Sequence, residues 1–184
     1  MKKLLILFTI LQLMISCNEK NNSNYKYSAA ETKQFLIEIT KNAKASITDI
    51  TEIKKQPTDE FGLITRYPVS KKTLEEYDTN KGTIVNKDDD ISDFATYTYK
   101  DYKLTNEKGE KLKLIDNGRA IYLQEYGLWD YDNVLCQNLG IDIKLDKKFE
   151  KLDGVITIEF EMPNGMKKEI KIPVNIAIND KVSE

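Results

Sequence analysis

The strongest constraint on the fold of this chain is a regular alternation of apolar and polar residues over positions 154–178. The large apolar residues fall at even-numbered positions on both sides of Pro163-Asn164-Gly165, and most odd-numbered residues between them are polar. The even-numbered apolar residues are Ile156, Ile158, Phe160, Met162, Met166, Ile170, Ile172, Val174, Ile176 and Ile178. A period of two is typical of a β-strand with one buried face. The pattern therefore predicts two strands joined as a hairpin.

The register of this hairpin can be predicted from the faces of its residues. Residues directly opposite each other in an antiparallel pair share a face. A three-residue loop pairs Ile158 with Ile170. A register shifted by one residue would instead place the isoleucines on the solvent-exposed face. We expect a type I turn followed by Gly165 in the left-handed region. Pro173 lacks an N–H and points outward, so its strand should lie at a sheet edge.

A single amphipathic helix is predicted near the N-terminus of the folded part. Ser28 and Glu31 have the spacing of a capping box. The residues that follow place a narrow apolar stripe on one helix face, formed by Phe35, Leu36, Ile39 and Ala43. We expect the helix to end near Ala45 and its stripe to pack on the domain's own sheet, rather than to form a groove for a partner.

The middle of the chain indicates short strands joined by local turns. Segments 61–66 and 67–71 are candidate edge strands, and 94–104 alternates with Tyr97 and Tyr99 on one face. Turns are predicted at 106–109 and 116–118, and a polar loop with a short turn of helix at 73–90. The fold class is therefore predicted as mostly β (α+β). The predicted architecture is an antiparallel β-sandwich or curled sheet with one N-terminal helix packed on it, in a single domain over residues 28–184.

Composition excludes several classes of function. The chain has 184 residues, no histidine, two cysteines and a net charge of −2. Without histidine there is no Ser-His-Asp or Cys-His catalysis and no His-ligated zinc. Two cysteines cannot form a disulfide framework or a four-cysteine metal site. A pI of about 5.5 argues against nucleic acid as a partner. No phosphate loop or dinucleotide fingerprint is present, so no cofactor is predicted.

The first residues have the pattern of a secretory signal peptide. Lys2 and Lys3 precede an apolar run over 4–15, and the small Ser16 lies just before Cys17. This run is too short to cross a hydrocarbon core, which needs about 20 residues. We therefore predict a signal peptide over residues 1–16 rather than a membrane-spanning helix.

The segment Met14-Ile15-Ser16-Cys17 resembles the lipobox of bacterial lipoproteins. The resemblance implies cleavage before Cys17, a diacylglyceryl group on its sulfur and a fatty acyl chain such as palmitate on its amine. Two or three chains would hold the protein at a membrane, where a single chain holds only marginally. Residues 17–27 would then form the lipidated cysteine and a flexible polar tether.

The same resemblance suggests a location in the cell envelope. The lysine-, asparagine- and isoleucine-rich composition is similar to that of lipoproteins of Bacteroidota. Asn18 follows the cysteine where aspartate would retain such a lipoprotein at the inner membrane, so the resemblance implies the outer membrane. In these lipoproteins an acidic cluster after the cysteine directs export to the cell surface, and here only Glu19 is acidic. The sequence therefore does not distinguish the periplasmic face of the outer membrane from its outer face.

The best candidate binding surface is an aromatic segment in the second half of the chain. Tyr126, Trp129 and Tyr131 lie close together, and Asp130 and Asp132 alternate with the last two rings. Rings with a polar tip suit sugars, peptides or protein partners, and carboxylates can hydrogen-bond sugar hydroxyls. The alternative is that these residues are strand formers that half-bury their rings in the sheet.

Two other clusters are weaker candidates. Asp88, Asp89, Asp90 and Asp93 could supply oxygens to calcium, but the spacing fails the EF-hand pattern, so a solvated acidic loop is favoured. Arg66 and Arg119 could clamp an anion, although placement on the surface without a ligand is the simpler interpretation.

Neither the second cysteine nor the paired carboxylates predict catalysis. Cys136 lies in a short apolar stretch and is expected to be a buried small hydrophobe, since no histidine can activate it. Glu159 and Glu161 alternate outward on a predicted strand, where both would be solvated. No metal site and no catalytic residue is therefore assigned.

The function predicted from the sequence is a lipid-anchored cell-envelope protein with a non-catalytic domain that binds a protein or glycan. An immunity-type lipoprotein that inhibits a toxin is one alternative, because an acidic domain suits a basic toxin. A carboxylate-based glycan hydrolase is another, and it would require two acids facing a cleft lined by tyrosines. A purely structural envelope component is a third.

Overall fold

The computed structural model describes residues 24–49, 52–53, 57–71, 74–75, 79, 90–115 and 122–178. Its described elements include the α-helix α1 (Ala29–Asn42) and a short 3₁₀ helix (Ile91–Phe94), and residues 71, 74–75 and 79 are also helical. The strands are β1 (Lys44–Ser46), β2 (Thr48–Asp49), β3 (Glu52–Ile53), β4 (Thr58–Pro68), β5 (Thr96–Asn106), β6 (Lys111–Leu112), β7 (Gln124–Tyr131), β8 (Val134–Phe149), β9 (Lys151–Glu161) and β10 (Lys167–Ala177).

Two antiparallel four-stranded sheets pack face to face. The first sheet has the order β1-β4-β8-β7 and the second has the order β10-β9-β5-β6, while β2 and β3 form a separate short ladder. The long strand β8 also links the two sheets, because Ile115 donates its N–H to the Lys144 carbonyl and Asp146 donates to the Lys113 carbonyl, at 2.8 and 2.9 Å. The predicted class, mostly β with one N-terminal helix on an antiparallel sandwich, is confirmed.

The β9–β10 hairpin has the predicted register. Ile158 faces Ile170 and Ile156 faces Ile172. Gly165 has a φ of 79° and donates its N–H to the Met162 carbonyl at 2.8 Å, which closes the turn. Among the described strands β10 pairs with β9 alone, so its proline does lie on an edge strand.

The core lies between the facing sides of the two sheets. The even-numbered residues of β9 and β10 meet the odd-numbered residues of β4 and β8 there. Its largest fully buried side chains are Phe35, Phe149, Phe160, Ile39, Leu63, Leu104, Leu139, Ile141, Leu145, Leu152, Ile156 and Ile158. Burying apolar side chains of this size contributes about 1.5–3 kcal/mol each, which makes this layer the main stabilising feature of the domain.

Helix α1 begins and packs as the sequence predicts. The Ser28 hydroxyl accepts the N–H of Glu31, and the Glu31 carboxylate accepts the N–H of Ser28 at 2.8 Å, which completes the capping box. Phe35 stacks edge-on against Tyr67 of β4, with ring centroids 5.0 Å apart. The apolar stripe therefore packs on the domain's own sheet. The helix ends at Asn42 rather than near Ala45, because Ala45 pairs with Leu63 in β1 and must be extended.

Strand β4 corrects the prediction of two edge strands. Segments 61–66 and 67–71 are not separate edge strands, since one strand runs through Thr58–Pro68 and lies between β1 and β8. Pro68 is tolerated because it is the last residue of the strand. A single-sequence pattern shows which residues alternate, but a strand becomes interior only when distant segments pair with both of its sides.

The N-terminal end of the described chain lies against the core. Tyr25 and Tyr27 contact Phe94, with ring centroids 5.2 and 6.3 Å away. Burial, and then the Asp90 carboxylate, raise the pKa of Tyr27 to about 12. The last residues of the predicted tether 17–27 are therefore docked, because the two rings bury apolar surface. Among the residues that the structure describes, no helix is both long and apolar enough to cross a membrane.

Replacement of Ile158 by alanine tests the inward face of β9. Ile158 is completely buried, so Ile158→Ala should lower the free energy of unfolding by about 2–5 kcal/mol. The matched control is Thr157→Ala, the next residue on the outward face, which should cost less than about 1 kcal/mol. Chemical denaturation of both variants measures the difference, and equal losses would contradict the assigned faces.

Candidate binding face

The outward side of the second sheet is covered by ion pairs. The Glu159 carboxylate lies 3.0 Å from the Lys100 ammonium and 3.4 Å from that of Lys167, and Lys167 also lies 3.0 Å from Glu161. Exposed pairs of this kind contribute only about 0–1 kcal/mol, and they keep a surface hydrated. Glu159 and Glu161 therefore point outward, as predicted, and charged pairs cover this part of the sheet.

The outward side of the first sheet carries aromatic residues, and the β7–β8 hairpin determines their positions. Asp132 and Asn133 form a two-residue loop with φ values of 54° and 64°. Positive φ at both positions is the requirement of a type I′ turn, which asparagine and aspartate tolerate. The Asp130 carboxylate accepts the N–H of Asn133 at 2.9 Å and holds the turn.

A β-bulge in β7 changes which residues point outward. Glu125 faces Leu139, and Leu128 faces Gln137. On β7 two residues, Tyr126 and Gly127, therefore lie opposite the single residue of β8 between Leu139 and Gln137, which is Asn138. Gly127 adopts a φ of 104°, a left-handed value that glycine reaches without steric cost. The extra residue reverses the parity of the strand from this point.

As a result, Tyr126, Trp129 and Tyr131 lie on the same outward side of the first sheet. We call these three residues the aromatic face. In an unbulged strand Trp129 and Tyr131 would instead point between the sheets. The structure therefore brings together the three predicted binding residues, and it does so through a feature that simple alternation does not predict.

The ring of Tyr126 is fixed at both ends. It lies directly over Gly140, where an added Cβ would be 2.5 Å from the Tyr126 Cε2 atom. Its hydroxyl donates to Asp142 Oδ1 at 3.0 Å and lies 3.3 Å from Gln124 Oε1. The absence of a side chain at Gly140 is what allows the ring to lie flat on the sheet.

Tyr131 is held by a hydrogen bond and a stacked guanidinium group. Its hydroxyl donates to Asn138 Oδ1 at 3.0 Å. The Cζ atom of Arg66 lies 3.9 Å from the centre of its ring, a cation–π contact that contributes about 0.5–2 kcal/mol. Arg66 is thus engaged with an aromatic ring, while Arg119, the other arginine considered for an anion clamp, lies outside the described residues.

Trp129 is the most exposed ring of the aromatic face. It is opposite Cys136 in the ladder, and 55% of its surface is accessible. Val134, at the end of the same hairpin, is 46% exposed. Trp129 thus combines a large exposed ring with two neighbouring rings that are already fixed.

Cys136 is a free thiol with only 4% of its surface exposed. Burial raises its pKa, and the positive charge of Arg66 opposes that shift. The thiolate is therefore disfavoured, and the expectation of a buried small hydrophobe is confirmed. The lipid-attachment candidate Cys17 lies outside the described residues.

The acidic cluster at 88–93 is described only in part, since Asp88 and Asp89 lie outside the described residues. Asp90 and Asp93 cap the 3₁₀ helix, where the Asp93 carboxylate accepts the N–H of Asp90 at 2.8 Å. Burial raises the pKa of Asp90. Within the described ranges, no three carboxylate or thiol groups are arranged to hold a metal ion.

Comparison of the chain with protein-family models, with curated proteins and with solved structures finds no significant match.

Several residues that support the aromatic face were not singled out from the sequence. Gly140 accommodates Tyr126, and Asn138 and Asp142 accept the tyrosine hydroxyls. The signal for the bulge was present, because an isolated glycine inside a strand pattern often marks one. No sequence signal indicated that Asn138 and Asp142 would accept the tyrosine hydroxyls, because these contacts depend on the pairing of β7 with β8.

Replacement of Gly140 by alanine should destabilise the domain by about 1–3 kcal/mol through overpacking. The new Cβ would lie 2.5 Å from the Tyr126 ring and 2.8 Å from the Leu63 carbonyl oxygen. The cost should fall in a Tyr126→Ala background, which removes the ring contact and leaves the carbonyl contact. Thermal or chemical unfolding measures both, and a Gly140→Ala variant as stable as the parent would contradict this packing.

Proposed function

We propose that the protein is a lipid-anchored cell-envelope protein whose β-sandwich binds a partner without catalysis, through the aromatic face. The observation that carries this proposal is the bulge at Gly127, which places Tyr126, Trp129 and Tyr131 on one outward side. The bulge costs a ladder position and leaves Trp129 about half exposed, which favours a contact surface over a purely structural role.

The state of the three rings supports a binding role. Tyr126 and Tyr131 are fixed by hydrogen bonds, and Arg66 is stacked on Tyr131. Fixed rings lose little conformational freedom when a partner binds, so more of the contact energy remains as affinity. Tryptophan, tyrosine and arginine are also the residues that most often dominate binding energy at interfaces.

The anchor in this proposal is the lipid on Cys17. Eight residue steps separate Cys17 from Tyr25, the first ring docked on the core, and they span at most about 29 Å when fully extended. A domain held this close to a membrane meets partners that are themselves in the envelope. The partner is a protein or a glycan of that compartment.

Replacement of Cys17 by serine tests the anchor. In a bacterial host that processes lipoproteins, the parent should partition into the detergent phase and carry the mass of a chain that starts at Cys17 with acyl chains. Cys17→Ser should lose both properties, because serine offers no thiol for the diacylglyceryl group. Cys136→Ala is the matched control and should remain lipidated. An unmodified mass for the parent chain would contradict the anchor.

Replacement of Trp129 by alanine tests the binding role. Labelled Cys17→Ser protein should be retained saturably on isolated envelope fragments. A further Trp129→Ala change should weaken this retention by about tenfold or more, as for a central interface tryptophan. Tyr99→Ala, which removes an exposed ring outside the aromatic face, is the matched control and should bind as the parent does. Equal binding of all three proteins would contradict a role for the aromatic face.

A further inference from the structure

Within the described residues, strand β7 lies at one edge of the first sheet. Among the described strands it is hydrogen-bonded to β8 alone, and it is eight residues long. The other sheet edges are shorter or blocked, since β1 has three residues, β6 has two, and β10 carries Pro173 together with outward lysines. Within the described part of the chain, β7 is thus the long edge that lacks a proline.

The hairpin register shows which backbone groups face away from β8. The pair that flanks a two-residue loop, Tyr131 and Val134, is a hydrogen-bonded pair, and such pairs alternate along an antiparallel ladder. Trp129 and Cys136 form the next hydrogen-bonded pair. The N–H and C=O groups of Leu128 and Asp130 therefore point outward from the edge, where another strand could pair with them.

The two sides of this edge differ in chemistry. Trp129 and Tyr131 lie on the outward side of the sheet. Glu125 and Asp130 lie on the other side, because they pair with Leu139 and Leu135. An added strand would thus meet aromatic rings with every second residue and carboxylates with the residues between them.

The sequence of β7 and of the adjoining part of its hairpin partner is acidic, while Arg66 of β4 is already stacked on the Tyr131 ring. Residues 120–143 contain four acidic residues, Glu125, Asp130, Asp132 and Asp142, and no lysine or arginine, although the chain has 28 basic residues. A second copy of the same edge is a poor occupant, because two such edges would bring like charges together. The complementary occupant is a strand that carries cations.

We propose that β7 receives an extended segment of a basic partner protein as an additional strand. The segment alternates apolar or aromatic residues, which pack beside Trp129, with lysines or arginines, which lie near Asp130. Main-chain hydrogen bonds to Leu128 and Asp130 supply affinity, and the alternation supplies specificity. This inference rests on the proposed function and specifies the partner class of the aromatic face.

The probe is an acetylated and amidated peptide of eight residues in which lysine alternates with valine and phenylalanine. Trp129 is the only tryptophan in the chain, so its fluorescence reports binding at this edge directly. The protein is the full chain from residue 17 with Cys17→Ser. We expect saturable binding with a dissociation constant below about 1 mM.

Two control peptides separate strand addition from simple charge attraction. One has the same residues with every backbone nitrogen methylated, and the other has all lysines grouped before the apolar residues. Both keep the charge but lose either the hydrogen bonds or the alternation, so each should bind at least about tenfold more weakly. Comparable binding of either control, or no saturable binding of the first peptide, overturns the proposal.

A conservative protein variant tests the carboxylate. Asp130→Asn keeps the side-chain oxygen that holds the turn and removes the charge, so it should weaken peptide binding and reduce its dependence on salt. Asp153→Asn, on the second sheet, is the matched control and should bind as the parent does. Equal binding by both variants overturns the role of Asp130.

Failure of this inference is distinguishable from failure of the proposed function. If Trp129→Ala abolishes retention on envelope fragments while the methylated peptide binds like the parent peptide, strand addition is wrong and the aromatic face remains a binding site. Saturable quenching by an oligosaccharide such as chitotetraose, with none by the peptide, would overturn the basic strand and assign the face to glycans. If retention is unaffected by Trp129→Ala, the proposed function itself is wrong.

Discussion

Apolar packing between the facing sides of the two sheets determines where every other side chain of this domain points. Because strand residues alternate between two sides, fixing the inward set fixes the outward set as well. The isoleucines of β9 and β10 meet Leu139, Ile141 and Ile143 of β8, and these contacts set the register of both sheets. Any residue inserted into a strand then reverses the assignment beyond it.

Besides a shift in β4 between Thr58 and Glu60, the described strands contain two such insertions, in β5 and β7, with different outcomes. In β5 the register shifts between Tyr99 and Asp101, which keeps Tyr97 and Tyr102 on the core side of the strand. In β7 the shift lies at Gly127 and turns Trp129 away from the core. The first bulge serves packing, whereas the second moves a large apolar ring into solvent. This contrast is why we associate the second bulge with binding rather than with stability.

The parts of the fold that depend on neighbouring residues could be predicted from the sequence. These include the capping box at Ser28, the turn at Gly165 and the pairing of Ile158 with Ile170. The interior position of β4 could not be predicted, because it depends on pairing with a strand that lies some 80 residues further along the chain. The three rings of the aromatic face were identified as candidates, but their common side depends on the bulge and on partners in β8.

The fluorescence of Trp129 tests the account most directly, because this residue is the only tryptophan in the chain. With the bulge in place the ring is about half exposed, and acrylamide should quench the folded protein nearly as efficiently as the unfolded chain, with a red-shifted emission. Without the bulge the ring would point between the sheets. Blue-shifted emission that acrylamide barely quenches in the folded protein would therefore contradict the account.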